Sequence, residues 1–117
     1  MKAEAQAHPP LLLDVLPTLG AELIRLFESA GRGDLAAQVP SLRVRSRCDC
    51  GDDFCATIYV RRGRPFDCIT FDAGEGMINV DVDAQDRITG IEILYRDEYK
   101  RLVDQLFSRR RAAGGEA

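Results

Sequence analysis

The densest chemical signal in the chain is the run Cys48-Asp49-Cys50-Gly51-Asp52-Asp53-Phe54-Cys55, with Cys68 thirteen residues further on. Thiolates two and five residues apart in a glycine-containing turn can converge on one soft cation. Cys68, expected on the adjoining strand, would complete a tetrahedral zinc set of Cys48, Cys50, Cys55 and Cys68. The spacing is not that of a zinc ribbon or finger, which uses paired CxxC or Cys/His knuckles. Here one half-site is CxC and the other a lone strand cysteine. The spacing is therefore read as a turn of structural thiols with no cofactor, zinc being the alternative. A redox dithiol is the poorer fit, because Cys50 and Cys55 are not a CxxC pair opening a helix. Asp49, Asp52 and Asp53 would raise a nearby thiol, an effect Arg45 and Arg47 would counter.

Three further patterns carry potential chemistry. Asp81 to Glu92 places acids at the first, third and last positions of a calcium-loop spacing and an amide at the fifth. Its sixth position is Asp86, where the sharp turn of that loop requires glycine, so a hairpin is the better reading. Arg43, Arg45 and Arg47 alternate along one segment with Arg61, Arg62 and Arg64 nearby. Aromatics among them are sparse and no nucleotide-cradling glycine loop accompanies them, so they read as a solvated strand face. The single histidine, His8, precedes the first periodic segment, which leaves no histidine for a catalytic triad or a multi-histidine metal site within the fold. Catalysis would fall to carboxylates such as Asp72, Glu75, Asp81 or Glu92 with an arginine, and no spacing singles out an acid/base pair; no catalytic residue is assigned.

These residues must be positioned by a small scaffold. The chain has 117 residues, 45% hydrophobic and 30% charged, enough for one domain with one core. No apolar run approaches the roughly 20 residues that span a bilayer, and Met1 to Pro10 lacks the pattern of a secretory signal, so the protein is read as soluble and cytoplasmic. The net charge of -3 is unevenly spread: residues 67–98 hold 9 acidic and 2 basic groups. Such a block favours a basic partner over nucleic acid.

Periodicity supplies the elements. Leu16, Leu19, Leu23, Leu26, Phe27 and Ala30 recur at three- and four-residue steps, predicting a helix that begins near an Asp14 cap, ends at Gly31 and turns Glu22, Arg25 and Glu28 to solvent. After Pro40 the period falls to two, predicting strands over 42–47, 56–62, 66–71, 77–82 and 87–95. Alternation assigns Arg43, Arg45, Arg47, Asn79, Asp81 and Asp83 to the polar sheet face. Asp97 then caps a last helix with Tyr99, Leu102, Val103, Leu106 and Phe107 on its apolar stripe. The sum is an α+β domain over 11–111, a five-strand antiparallel meander with N- and C-terminal helices on one face, between a disordered leader at 1–10 and a flexible tail at 112–117. Leu23, Phe27, Ile58, Val80, Ile91, Leu102 and Leu106 are the predicted core.

The segments Ala36 to Val44, Arg47 to Thr57 with its RCxCGDDFCAT pattern, and Ile88 to Arg96 with its IxGIEILYR pattern together resemble a bacterial family of small uncharacterised proteins. The resemblance implies a bacterial cytosolic protein and brings no activity, cofactor or catalytic residue; Cys68 falls outside the matching segments. The balance of charge and missing catalytic groups then favours a protein-binding domain, of the kind that neutralises a basic toxin as an immunity protein. Asp81, Asp83, Asp86 and Glu75 are the candidate contacts. The alternatives are a cysteine-centred zinc or redox module and a carboxylate-based enzyme or ligand carrier.

Overall fold

The computed structural model describes residues 8–71 and 74–115. Most of the leader expected at 1–10, together with Asp72 and the last two residues of the expected tail, lies outside the described residues. The leader's end belongs to the fold. Pro9 is buried, its carbonyl accepts a hydrogen bond from Arg43 Nη1 at 2.7 Å, and the Pro10 carbonyl accepts one from the Val44 amide at 2.8 Å.

The helical layer opens with α1, Leu12–Val15, and α2, Pro17–Ser29, in place of one helix capped by Asp14. Pro17 causes the break. The residue before a proline is pushed out of the α region, and Leu16 has φ -135° and ψ 60° while Pro17 takes the first helical position. Leu19, Leu23 and Phe27 of α2 are fully buried. Gly31, at φ 73°, terminates the helix as predicted: the Arg32 amide donates to the Phe27 carbonyl at 2.8 Å across a left-handed residue that glycine adopts without strain. A short α3, Gly33–Ala36, and a 3-10 turn at Val39–Ser41 lead into the sheet.

Five antiparallel strands follow: β1 Ser46–Arg47, β2 Ile58–Tyr59, β3 Asp67–Phe71, β4 Met77–Val82 and β5 Ile88–Leu94, in spatial order β1-β2-β5-β4-β3. The α+β class with flanking helices is as expected. The strand sequence departs from a simple meander at one connection, since the link from β2 crosses to the far edge and β5 lies between β2 and β4. Burial accounts for it. Ile88, Ile91 and Ile93 of β5 are completely buried, which requires neighbours on both edges, whereas Asp67, Cys68 and Thr70 of β3 are exposed and suit an edge.

One face of this sheet carries Phe71, Ile78, Val80, Ile91, Ile93 and Ile58. The helices cover it. Phe27 of α2 meets Phe71 edge to face at 5.2 Å, and α4, Asp97–Gly115, buries Tyr99 and Val103. Five of the predicted core residues are fully buried. Leu106 is partly buried, and Leu102 is 38% exposed because α4 faces the core along Tyr99, Val103, Leu106 and Phe107, the stripe expected without its Leu102 edge. Backbone helix extends to Gly115, into the tail expected from 112.

Two charged residues are corrected. Arg47 turns to the helical side, donating to Asp104 Oδ1 at 2.7 Å with its guanidinium 6.0 Å from the Phe107 ring. Glu22, expected in solvent, is buried at 7% exposure. Arg96 grips it with Nη1 and Nη2, each at 3.0 Å from one of its oxygens, while Tyr99 donates its hydroxyl to the same carboxylate and Glu98 holds the other side of Arg96. Burial opposes ionisation of Glu22, but the hydrogen bonds from Arg96 and Tyr99 and the Arg96 charge hold its carboxyl below the ordinary value.

Arg96→Ala therefore leaves a covered carboxylate unmatched and is expected to lower stability by about 3 kcal/mol in urea unfolding. Because the folded pKa of Glu22 is depressed, its contribution is present above the ordinary glutamate value of 4.5 and lost as pH falls through the folded pKa. The stability gap between wild type and Glu22→Gln should narrow as acid is added below that value. A gap that stays constant over this range would contradict the assignment.

Candidate metal centre

The sulfurs of Cys48, Cys50 and Cys55 lie within 4.8 Å of one another. Their convergence follows from pairing at both ends of the turn. The Cys48 amide donates to the Thr57 carbonyl at 3.0 Å, continuing the β1–β2 ladder, while Cys55 forms a bridge to Leu94 and the Ala56 amide donates to Ile93 at 2.8 Å. Within the loop, Gly51 takes φ 78°, a left-handed turn that a side chain would strain, and the Cys55 amide closes onto the Asp52 carbonyl at 3.2 Å. Phe54 projects out of the turn and stacks on Tyr95 at 4.9 Å, with the Tyr95 amide bonded to its carbonyl.

The three thiols differ. Cys55 is buried, Cys48 partly so and Cys50 exposed. Burial resists ionisation of Cys55, yet hydrogen bonding with the Thr57 hydroxyl and backbone and with Cys50 and Cys48 outweighs it, and the thiol is held below its ordinary value. The Thr57 hydroxyl lies 3.2 Å from its sulfur. Cys50 goes the other way: a backbone hydrogen bond at Asp52 favours its thiolate, but bonding to Cys55, burial and the Cys48 sulfur push it up to about 11. The three thiols are thus unequal: hydrogen bonding favours ionisation of Cys55, the most covered sulfur, and opposes that of Cys50. Tyr59 stands alongside, raised by burial and by the charges of Cys48, Cys55 and Asp81. Three converging thiols in a turn carrying Asp49, Asp52 and Asp53 are close enough to ligate one cation.

Cys68 is not among them. Its assignment to an adjoining strand assumed a sequential sheet; in the observed order β3 is three strands from β2, about 14 Å at the usual ~4.8 Å spacing. Cys68 instead sits opposite Asp81 on the uncovered face, where burial and the Asp81 carboxylate raise its thiol.

The four acids proposed as a contact surface separate. Asp81 lies on the uncovered face in register with Cys68 and Gly90. Asp86 and Glu75 are exposed in the turns at opposite ends of β4, a strand of six residues spanning roughly 20 Å. Asp83 is 8% exposed, not a free member of the polar face. Its Oδ1 accepts from the amides of Gln85 and Arg87, each at 2.9 Å, and Oδ2 accepts from Arg87 Nε at 2.9 Å. These bonds, the Arg87 amide first, depress its pKa. The segment that mimics a calcium loop is thus the β4–β5 hairpin, with Asp86 at φ 60° in the left-handed turn position.

The residues missed in the sequence are Thr57 and the Phe54–Tyr95 pair. Thr57 could have been found only from the register that sets it against Cys48.

Asp83→Ala should destabilise the domain by about 1–3 kcal/mol, through two uncapped amides and a lost ion pair, as a shift in urea midpoint at unchanged slope. A variant as stable as wild type would show that the turn holds without its carboxylate. Among the described residues no helix is long and apolar enough to cross a membrane. Comparison with protein-family models, with curated proteins and with solved structures finds no match to this chain.

Proposed function

We propose that this chain is a soft-metal-binding module in which Cys48, Cys50 and Cys55 hold one cation of the zinc class. The observation that carries the reading is the convergence of three sulfurs within 4.8 Å in a turn pinned at both ends. Tetrahedral zinc–thiolate bonds of ~2.3 Å place sulfurs roughly 3.8 Å apart, so a small contraction of the loop meets the requirement. Thiolates select soft or borderline cations over calcium and magnesium, and the three turn aspartates add a field that attracts a cation. With three protein ligands, the fourth position goes to water or to a group offered by a partner. The metal would also staple the turn that joins β1 to β2, the least extensively paired strands of the sheet, so binding and local folding are linked.

Protons set the pH dependence. Cys50, with its thiol raised to about 11, stays protonated in neutral solution, and the metal must displace that proton to bind. Affinity should therefore fall as pH falls, with proton release on binding. Titration of the reduced full-length chain with cobalt(II) or zinc tests this. Cobalt should produce sulfur-to-metal charge-transfer absorption at one equivalent, zinc should bleach it, Cys55→Ser should abolish it and Cys68→Ser should leave it intact. A reduced chain with accessible thiols that takes up neither metal would overturn the reading. So would a dependence on Cys68.

A further inference from the structure

We propose a second ligand site, at the opposite end of the β1–β2 hairpin from the cysteine turn: a cleft that binds the phosphate-class oxyanion of a small ligand. A cavity of about 300 Å³ opens there between the segment at 41–45 and the end of β2, lined by Arg43, Arg45, Arg61 and Arg62 over the apolar floor of Val60. No carboxylate lines it. Four arginines elsewhere, Arg32, Arg47, Arg87 and Arg96, each meet a carboxylate oxygen within 3.0 Å. Four guanidiniums around one concavity repel one another, and this cluster gains from an anion that bridges them.

Two details orient the site. Nε of Arg61 is buried, and no acceptor among the described residues reaches it. A donor covered from water without an acceptor carries a full desolvation penalty, and a small shift of the Arg61 side chain toward the cleft would give it an oxyanion as acceptor. Arg43 is tethered through Nη1 to the Pro9 carbonyl at 2.7 Å, which fixes one wall of the cleft. The planar fork of arginine matches the paired oxygens of a phosphoryl group, and several forks around one anion suit a dianion better than a single carboxylate.

The cleft favours a small phosphorylated ligand over nucleic acid. No aromatic ring lines it to stack a base, and the net charge of -3, with the acidic block of 67–98, opposes a polyanion tracking across the surface. The site uses none of the cysteines, so its test is independent of the metal.

Inorganic phosphate, then pyrophosphate, titrated into the 15N-labelled full chain at constant ionic strength should give a saturable shift of the Arg61 Nε–H signal. Arg61→Gln and, separately, Arg45→Gln should each weaken pyrophosphate binding about tenfold. Arg64→Gln, in the adjoining loop but outside the lining, should not. If Arg61→Gln fails to fold, Arg45→Gln, at an exposed position, carries the comparison. Shifts that stay linear in anion and equal in all variants would reduce the cleft to general screening and overturn the site. A single-stranded oligonucleotide bound more tightly than pyrophosphate, with affinity growing with length, would overturn the small-ligand assignment in favour of a nucleic-acid surface.

Discussion

The buried carboxylate of Glu22 is the constraint around which the rest of the fold is arranged. A charge taken from water on α2 must be met by a cation and further donors at fixed distances. Arg96 and Tyr99 supply them from the junction between β5 and α4. Helix α2 and the β5–α4 junction, distant in sequence, are thereby locked at one corner. The lock reaches the backbone: Tyr95 takes φ 62° so that the chain can leave β5 and present Arg96, and Gly76 packs so closely beneath that a Cβ there would strike the Leu94 and Tyr95 carbonyls. Apolar matching alone would let α2 slide along the sheet. A two-pronged ion pair permits one position.

With that corner fixed, β5 becomes the centre of the sheet, and its central place decides where the chemistry lies. β4 pairs along its whole length on one side, while the short β2 pairs on the other and carries β1 outward. The hairpin of β1 and β2 is therefore the edge of the sheet, tied to the core through Val44, Ala56, Ile58 and Val60 and the bridge from Cys55 to Leu94. Both candidate sites sit at its two ends, the thiol turn at one and the arginine cleft at the other. Each answers a deficit of the hairpin: too few ladder bonds to hold a long turn at one end, and uncompensated positive charge at the other.

The legible part of this fold was the part that repeats. The apolar steps at Leu19, Leu23 and Phe27 and the period-two strands of β4 and β5 fix helix and strand because burial enforces those periods. Single residues that break a pattern for a local reason were not legible. Glu22 occupies a polar position on the helical wheel, and only the distant Arg96 makes its burial tolerable. Leu16 belongs to the apolar stripe yet leaves the helix because proline follows it. Asp83 alternates with Asp81 as an outward residue would, but the turn recruits its oxygens. At the thiol site, Cys48, Cys50 and Cys55 were recognisable by local spacing. The exclusion of Cys68 depended on strand order, a global property that one crossing connection changes.

The same topology keeps the converging thiols and the arginine-lined cleft apart on one small scaffold. Thiolates and guanidiniums in contact would satisfy each other as ion pairs and bind nothing. Here the β1–β2 hairpin holds the cysteine turn and Arg61 apart at its two ends, and the arginine nearest the turn, Arg47, is diverted to the helical face by Asp104. Its neutralisation there leaves the thiols facing aspartates and Tyr59 instead of a competing cation. Separation along the hairpin, and one ion pair that withdraws the intervening charge, are what preserve two opposite electrostatic environments within a single sheet.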